Sequence, residues 1–402
     1  MAPGTCIKGP GAFLTLIRII MRKEILKVVA ASDSFKGSLT SLEVAQSVEE
    51  AFHEVYPSCQ VTKVNVADGG EGTMDALRQT LGGEIQPIPV HDPLGREIIA
   101  NYVILDDKVT AVIEMSAASG LPLLKPEERN PLLTSTYGTG ELILDALKKG
   151  CRKFLVGIGG SATNDAGIGM LNALGYSFLD KDGNELPPVG GSLDKIEHIC
   201  QDNRNPALSV SEFIIACDVK APLYGPEGAA YVFAPQKGAD PEMAQKLDNG
   251  LRHFAEVSAE ALGHDYSQMQ GAGAAGGLGY AFRQFISGRL ERGVEMVLDA
   301  IHFDEIISGA DLVVTGEGKV DSQTLTGKTP FGVAQRAIKA SIPVIAIGGK
   351  VEIDTAQARM AGFESVIQIT PSDMPLSEAM KPEVAAENIR RAIINYCLNR
   401  HE

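Results

Sequence analysis

Residues 25–31, ILKVVAA, run into Asp33-Ser-Phe-Lys-Gly-Ser38 and then into Thr40-Ser-Leu-Glu43. The apolar run is too short for a buried helix and rich in β-branched residues, so it reads as a buried parallel strand. Thr40 and Glu43 form the T-x-x-E box that opens a helix, and Val44, Ala45, Val48, Ala51, Phe52 and Val55 recur at helical spacing until Pro57 stops it. A second strand, Val61 to Ala67, ends in Asp68-Gly-Gly-Glu-Gly-Thr73. Strand, glycine loop and helix thus repeat in the order that predicts a parallel sheet.

The same order returns near the C-terminus. Asp311 to Thr315 runs into Gly316-Glu-Gly-Lys-Val-Asp321, Pro343 to Ile347 into Gly348-Gly-Lys350, and Ser365 to Ile369 into Thr370-Pro371. The middle differs: Gly83 to Val112 alternates and turns like antiparallel strands, with HDPLG at 91–95 and LDDK at 105–108, before helices and Gly/Pro-rich loops. The expectation is two α/β lobes. A discontinuous parallel-sheet domain, residues 23–75 and 295–402, is interrupted by a mixed-sheet α/β domain at 76–294, with a cleft between the lobes and an N-terminal extension over 1–22.

Composition narrows the class. With 402 residues, the chain exceeds the roughly 250–300 at which single cores stop growing. Its 36 basic against 51 acidic residues give a net charge of −15, and no Lys/Arg run interrupts it, which argues against a nucleic-acid partner. The six cysteines are scattered without a CxxC pair or zinc spacing, as expected of a reduced, cytoplasmic protein. The apolar stretch Gly11 to Met21 carries Arg18 and falls short of the roughly 18–20 residues a membrane span needs, so no membrane partner is expected.

In open parallel sheets ligands bind beyond the carboxyl ends of the strands. Here those ends carry glycine with charged or hydroxylic residues. Lys36 and Ser38 stand at a helix start, whose free N–H groups favour an anion. Asp68 and Glu71, three apart across glycines, could hold a divalent ion. Glu317 and Asp321 follow a third strand, and Lys328 in Thr326-Gly-Lys-Thr329 suits a phosphate, although Ser322 stands where a P-loop needs its first glycine. Gly157-Ile-Gly159-Gly160-Ser161-Ala162 fits the dinucleotide pattern G-x-G-x-x-[GA], with Asp180 as its ribose carboxylate. That supports a rival reading, an NAD-dependent hydroxy-acid dehydrogenase. The continuation Thr163-Asn164-Asp165 suits phosphate or metal better than a close apolar helix start. Asp218 ends the strand Phe213 to Cys217, and Gln236-Lys237-Gly238 follows. No histidine forms a credible triad with Ser or Cys. A non-enzymatic binding protein for sugar acids is a further rival.

Taken together and in order, DSFKGS (33–38), ADGGEGT (67–73), GIGGSATND (157–165), CDV…PL.G..GA..VFAPQKGA (217–239), GAGAAGGLG (271–279) and TGEGKVDSQT…GKTPFGVA (315–334) resemble the bacterial glycerate kinase family, of the type that makes 2-phosphoglycerate. The resemblance runs from about Lys23 nearly to the end. It implies a flavodoxin-like domain interrupted by a second α/β lobe, with D-glycerate, ATP and Mg²⁺ as reactants in the interlobe cleft. The sequence departs from the family at Ser32 (usually Pro), Ala166 (usually Gly) and Ala221 (usually Asn). On this reading Asp218 or Asp165 aligns the substrate hydroxyl, and Lys237, with Lys36 and Lys328, neutralises phosphate or carboxylate. Gly159, Gly160 and Ser161 cradle phosphate, with Ser38 and Asn164 beside the nucleotide. Asp68, Glu71, Glu317 and Asp321 are the Mg²⁺ candidates, and a homodimer is the expected assembly.

Overall fold

The computed structural model describes residues 25–400, so the extension expected over 1–22 lies outside the described residues. The described chain divides into two compact units. One takes the residues up to Val64, Asp304–Thr326 and Val333 onward; the other takes Asn65–Phe303 and Gly327–Gly332.

Strands are numbered in chain order. The first unit is built on β1 (Lys27–Ala30), β2 (Gln60–Lys63), β11 (Leu312–Val320), β12 (Val344–Val351) and β13 (Ser365–Gln368). They form one sheet in the order β13-β12-β11-β1-β2, every pair parallel. Renumbered within the unit this is 2-1-3-4-5, the flavodoxin-like order, and it answers the five strand-loop segments read at the two ends of the chain. Helix Ser41–Val55 opens on Thr40 with the reciprocal Thr40/Glu43 capping box, and it buries Val44, Ala45, Val48, Ala51 and Phe52. Those side chains pack with Val28, Leu312, Ile345 and the helix Pro382–Asn399 through Ile389 and Ile393.

The second unit carries a six-stranded mixed sheet, β10-β9-β6-β5-β4-β3. Its members are β3 (Glu84–His91), β4 (Glu97–Ile104), β5 (Thr110–Glu114), β6 (Lys153–Gly157), β9 (Glu212–Ala216) and β10 (Arg289–Glu291). The antiparallel part, β3-β4-β5, is the alternating stretch seen in the sequence, turning through Asp92, whose carboxylate accepts the Leu94 and Arg96 N–H groups. β5, β6, β9 and β10 are parallel, with Glu114, Gly157, Ala216 and Glu291 in register, so four strands end at one level. Proline at 87 and 89 occupies β3, the outer strand. β7 (Ser177–Leu179) and β8 (His198–Cys200) make a separate two-stranded hairpin. No helix among the described residues is long and apolar enough to cross a membrane, and the described cysteines are all free.

Packing places residues 65–75 and 295–303 with the second unit. The reason is a close crossing of backbones within the second unit. A Cβ on Gly69 would lie 2.4 Å from the Gly293 Cα and 2.7 Å from the Ala216 Cβ, and one on Gly293 would lie 1.9 Å from the Asp68 carbonyl oxygen. Only a glycine pair permits this approach, and it fastens the 68–72 turn to the ends of β9 and β10.

Candidate functional site

Because β6 and β9 end at one level, the loops after them open on the same side. They enclose a cavity of about 420 Å³, within the ~300–1,000 Å³ range of small-molecule sites. Asp68, Gly69 and Gly70 line it from the turn fixed by the glycine crossing, Gly159, Gly160 and Ser161 from the loop after β6, and Asp218 from the loop after β9. Lys237 closes another side, with Ala274 and Ala275 from the glycine-rich segment. Every lining residue belongs to the second unit.

One wall presents backbone donors. Gly160 is left-handed (φ 73°), and the carbonyl oxygen of Gly160 accepts the Leu121 N–H at 2.8 Å while the Ala162 N–H donates to Ser119 at 2.9 Å. Those bonds pin the loop, and among the described residues no protein acceptor takes up the N–H groups of Gly159, Gly160 or Ser161. A Cβ on Gly159 would touch only the Gly70 Cα, at 3.9 Å, so the missing side chain leaves open space. Bare N–H groups around such a space form an anion cradle.

Lys237 stands beside it, 1% exposed. Its ammonium donates to the Ser161 hydroxyl and to the Thr163 carbonyl, both at 2.6 Å. Burial pulls its pKa down to about 7, opposed by the Asp165 carboxylate. Across the cavity Asp218 accepts the Gly293 N–H at 3.3 Å. Desolvation by the walls pushes Asp218 up to about 6, with the Asp68 carboxylate adding to the rise and the Gly293 N–H and Arg292 opposing it. Asp218 still keeps open surface, so solvent screens part of this push. Asp68 makes an Asx turn, accepting the Gly70 N–H at 3.0 Å. The cavity is therefore lined by two carboxylates, one buried lysine and a run of unpaired N–H groups.

Other expected site residues lie elsewhere. Asp165 is fully buried and does not line the cavity: its carboxylate accepts the Thr136 N–H and hydroxyl at 2.8 and 2.7 Å and the Gly167 and Gly169 N–H groups at 3.2 and 3.3 Å. Burial raises its pKa while those donors oppose the rise. Of the two aspartates weighed for the substrate hydroxyl, only Asp218 faces the cavity; Asp165 ties the loop to the start of helix Tyr137–Lys148. Asn164 is also fully buried, with no described partner for either end of its amide. Of the four expected Mg²⁺ carboxylates, Asp68 lines the cavity. Glu317 and Asp321 belong to the first unit, Glu71 is exposed and outside the cavity lining, and no group of three or more metal-ligating side chains occurs among the described residues. Glu317 accepts the Thr324 hydroxyl, and Asp321 the Gln323 N–H.

In the first unit Lys36 is exposed in a one-turn loop closed by Phe35 and Leu39, with Gly37 at φ 77°. The Ser38 hydroxyl is buried without a partner. Lys328 stands at the start of helix Thr329–Lys339, as its sequence context predicts. The neighbouring Gly327 sits against the Arg292 guanidinium.

The dinucleotide reading fails on the fold. A long irregular loop separates β6 from the six-residue helix Ile168–Ala173, so no helix start faces the glycines. Asp180 lies in the β7–β8 hairpin outside the parallel sheet, where its carboxylate accepts the Asp182 and Asn184 N–H groups.

Glu114 escaped the sequence reading. It ends β5 and accepts the Met74 N–H at 2.8 Å, satisfying the start of helix Thr73–Leu81, whose Gly72 cap has no side chain to do so. Burial raises its pKa, the helix N–H groups of Met74 and Gly72 oppose, and Asp75 and Glu71 add to the rise. A carboxylate at the end of a strand was the available signal. Leu121 and Phe233, apolar walls of the cavity, carried none.

Comparison with known proteins agrees with this arrangement. Residues 28–398 match the family model described as the glycerate kinase family. The chain is 45% identical over 366 residues to a glycerate kinase of Bacillus subtilis, covering 91% of this chain and 95% of that protein. It is 45% identical over 370 residues to glycerate 2-kinase of Escherichia coli, covering 92% and 97%. A crystal structure described as that of a glycerate kinase 2 from Salmonella typhimurium superimposes with a TM-score of 0.85 at 42% identity, covering 94% of this chain and 98% of that one. Matches this long, spanning both sheets and every glycine loop that builds the cavity, leave one conclusion: the chain belongs to the glycerate kinase family.

Proposed function

We propose that the protein transfers the γ-phosphoryl group of ATP to D-glycerate, giving 2-phosphoglycerate. One observation carries the reading: a single cavity is lined by the Asp68 and Asp218 carboxylates, the Gly159–Ser161 loop and Lys237. Phosphoryl transfer needs those two sets of groups, and positioning with charge neutralisation does most of the work. Asp218, titrating nearer neutrality than an ordinary carboxylate, orients the attacking hydroxyl and accepts its proton. The Gly159–Ser161 N–H groups and Lys237 take the anionic oxygens. Mg²⁺ is held by Asp68, with Glu71, Glu317 and Asp321 as further expected contributors; bound with ATP, it supplies neutralisation of phosphate charge. A site with one or two carboxylates suits this ion, which takes its remaining ligands from phosphate and water. Lys36, Ser38 and Lys328 serve the nucleotide phosphates in the same reading, which keeps the expected interlobe cleft, cytoplasmic setting and homodimer as parts to be tested.

The test is an assay of purified protein with D-glycerate, ATP and Mg²⁺, following ADP and identifying the phosphoglycerate isomer by NMR. ADP release that requires glycerate, with the 2-isomer as product, is the expected result. The 3-isomer would refute the regiochemistry, and NADH formation from NAD without ADP would revive the dehydrogenase.

A further inference from the structure

Lys237 is a buried ammonium whose described hydrogen-bond partners are both uncharged. Its Nζ donates to one hydroxyl and one carbonyl, and no carboxylate pairs with it among the described residues. The nearest acidic influence, Asp165, already accepts four hydrogen bonds from Thr136, Gly167 and Gly169. Of the neighbouring elements, the loop at 125–130 offers Arg129, whose backbone carbonyl packs against Gly238. The cavity adds Asp68 and Asp218, borne on other loops. Burying a cation without a counter-charge is costly, and such a group sheds its proton unless an anion compensates it.

An ammonium has three donors, and two are used. Lys237 nevertheless lines the cavity, beside the free N–H groups of the anion cradle. We infer that Lys237 is neutral when the cavity is empty and takes up a proton from solvent when an anionic ligand enters, so that ligand binding and protonation of this side chain are one coupled event. The balance is simple: a hydronium or buffer acid gives one proton to the Nζ lone pair, and the ligand's carboxylate or phosphate oxygen becomes its counter-ion. The inference rests on the proposed site and adds a direction to it. Raising the pH above neutrality weakens anion binding, although the ligand itself keeps its charge.

The test is calorimetric. D-glycerate, and separately ATP with Mg²⁺, are titrated into the full-length protein at pH 8 in buffers of different ionisation enthalpy, which yields protons taken up per ligand bound. With an empty-state pKa of about 7, roughly nine-tenths of Lys237 is neutral at pH 8, so an uptake of about 0.9 proton is expected for the ligand that meets it. At pH 6 the part of the uptake due to Lys237, read as the difference between the parent and Lys237→Met because Asp218 also titrates near 6, should fall to about 0.1, and the Kd should rise about tenfold per pH unit above neutrality. Lys237→Met, similar in length and suited to a buried site, should abolish the uptake. Binding with no uptake for either ligand at pH 8 overturns the inference and leaves the kinase reading intact, as does uptake that persists in the folded Met variant. Absence of binding by both ligands removes the kinase reading and the inference together.

Discussion

The parallel strands of the two sheets end alike in sequence and differently in structure. In the first unit the loop after β1 carries Lys36 and Ser38, β11 itself carries Glu317, and Asp321 follows it; loops after β6 and β9 in the second carry Ser161 and Asp218. In the second unit these side chains border one cavity together with Lys237, and Asp218 and Lys237 titrate away from their ordinary ranges. In the first, Lys36 points to solvent and Asp321 accepts a neighbouring N–H in its own turn. A charged residue at a strand end is therefore a weak indicator by itself. What separates the two loop sets is convergence: in the second unit the loops after β6 and β9 and the turn fixed by the Gly69–Gly293 crossing line one cavity.

If convergence on one cavity is what matters, removing a carboxylate from it should have the largest effect. Asp218→Asn should lower kcat by about 10²–10⁴-fold, the usual worth of a positioned acid or base, while the melting temperature stays nearly constant. In the parent enzyme kcat/KM should fall as pH drops through about 6, since only the ionised carboxylate accepts a proton, and the Asn variant should lose that limb. A variant with parental turnover would end the role of Asp218.

The glycine crossing comes next. Gly69→Ala puts a methyl group 2.4 Å from the Gly293 Cα at a residue with φ 85°, so overpacking and left-handed strain act together. A loss of about 2–4 kcal/mol in urea unfolding is expected, with weakened substrate binding in whatever remains folded. Unaltered stability would show that the crossing is looser than described. Glu114→Ala leaves the first turn of helix Thr73–Leu81 without its acceptor and should cost about 1–2 kcal/mol, while Glu114→Gln, which keeps an acceptor, should recover most of it. The smallest effect belongs to the first unit. Lys36→Ala should change stability by less than about 0.5 kcal/mol and raise the KM for ATP several-fold at unchanged kcat. An equally small effect on KM would take Lys36 out of the site and widen the contrast between the two loop sets.

Much of the fold was legible because its signals are local. Ile25–Ala31 and Pro343–Ile347 read as buried parallel strands because both faces of such a strand are covered, and Thr40/Glu43 marked a helix start that the structure keeps. The second strand was drawn too long, as Val61–Ala67 instead of Gln60–Lys63, because apolar Val64 and Val66 continue the pattern while the chain has already left the sheet. Side-chain roles were less legible. Thr163-Asn164-Asp165 has the same composition whether it faces a ligand or an interior network, and Asp165 is decided by Thr136, 29 positions away. Lys237 and Asp218 both line the cavity, but the burial that tunes Lys237 comes from how distant loops fold around it and leaves no mark in its own stretch of sequence. Ala166, where the resemblance leads one to expect glycine, holds a left-handed conformation at φ 50°, a backbone glycine adopts without strain.

The two prolines of β3 have a consequence beyond the site. A nascent or partly opened chain would normally offer that outer strand to another copy as a template for cross-chain pairing, the first step toward inclusion bodies. With donors missing at 87 and 89, such a ladder is interrupted twice within one strand, which gives the protein a built-in guard against self-seeding during synthesis at high abundance.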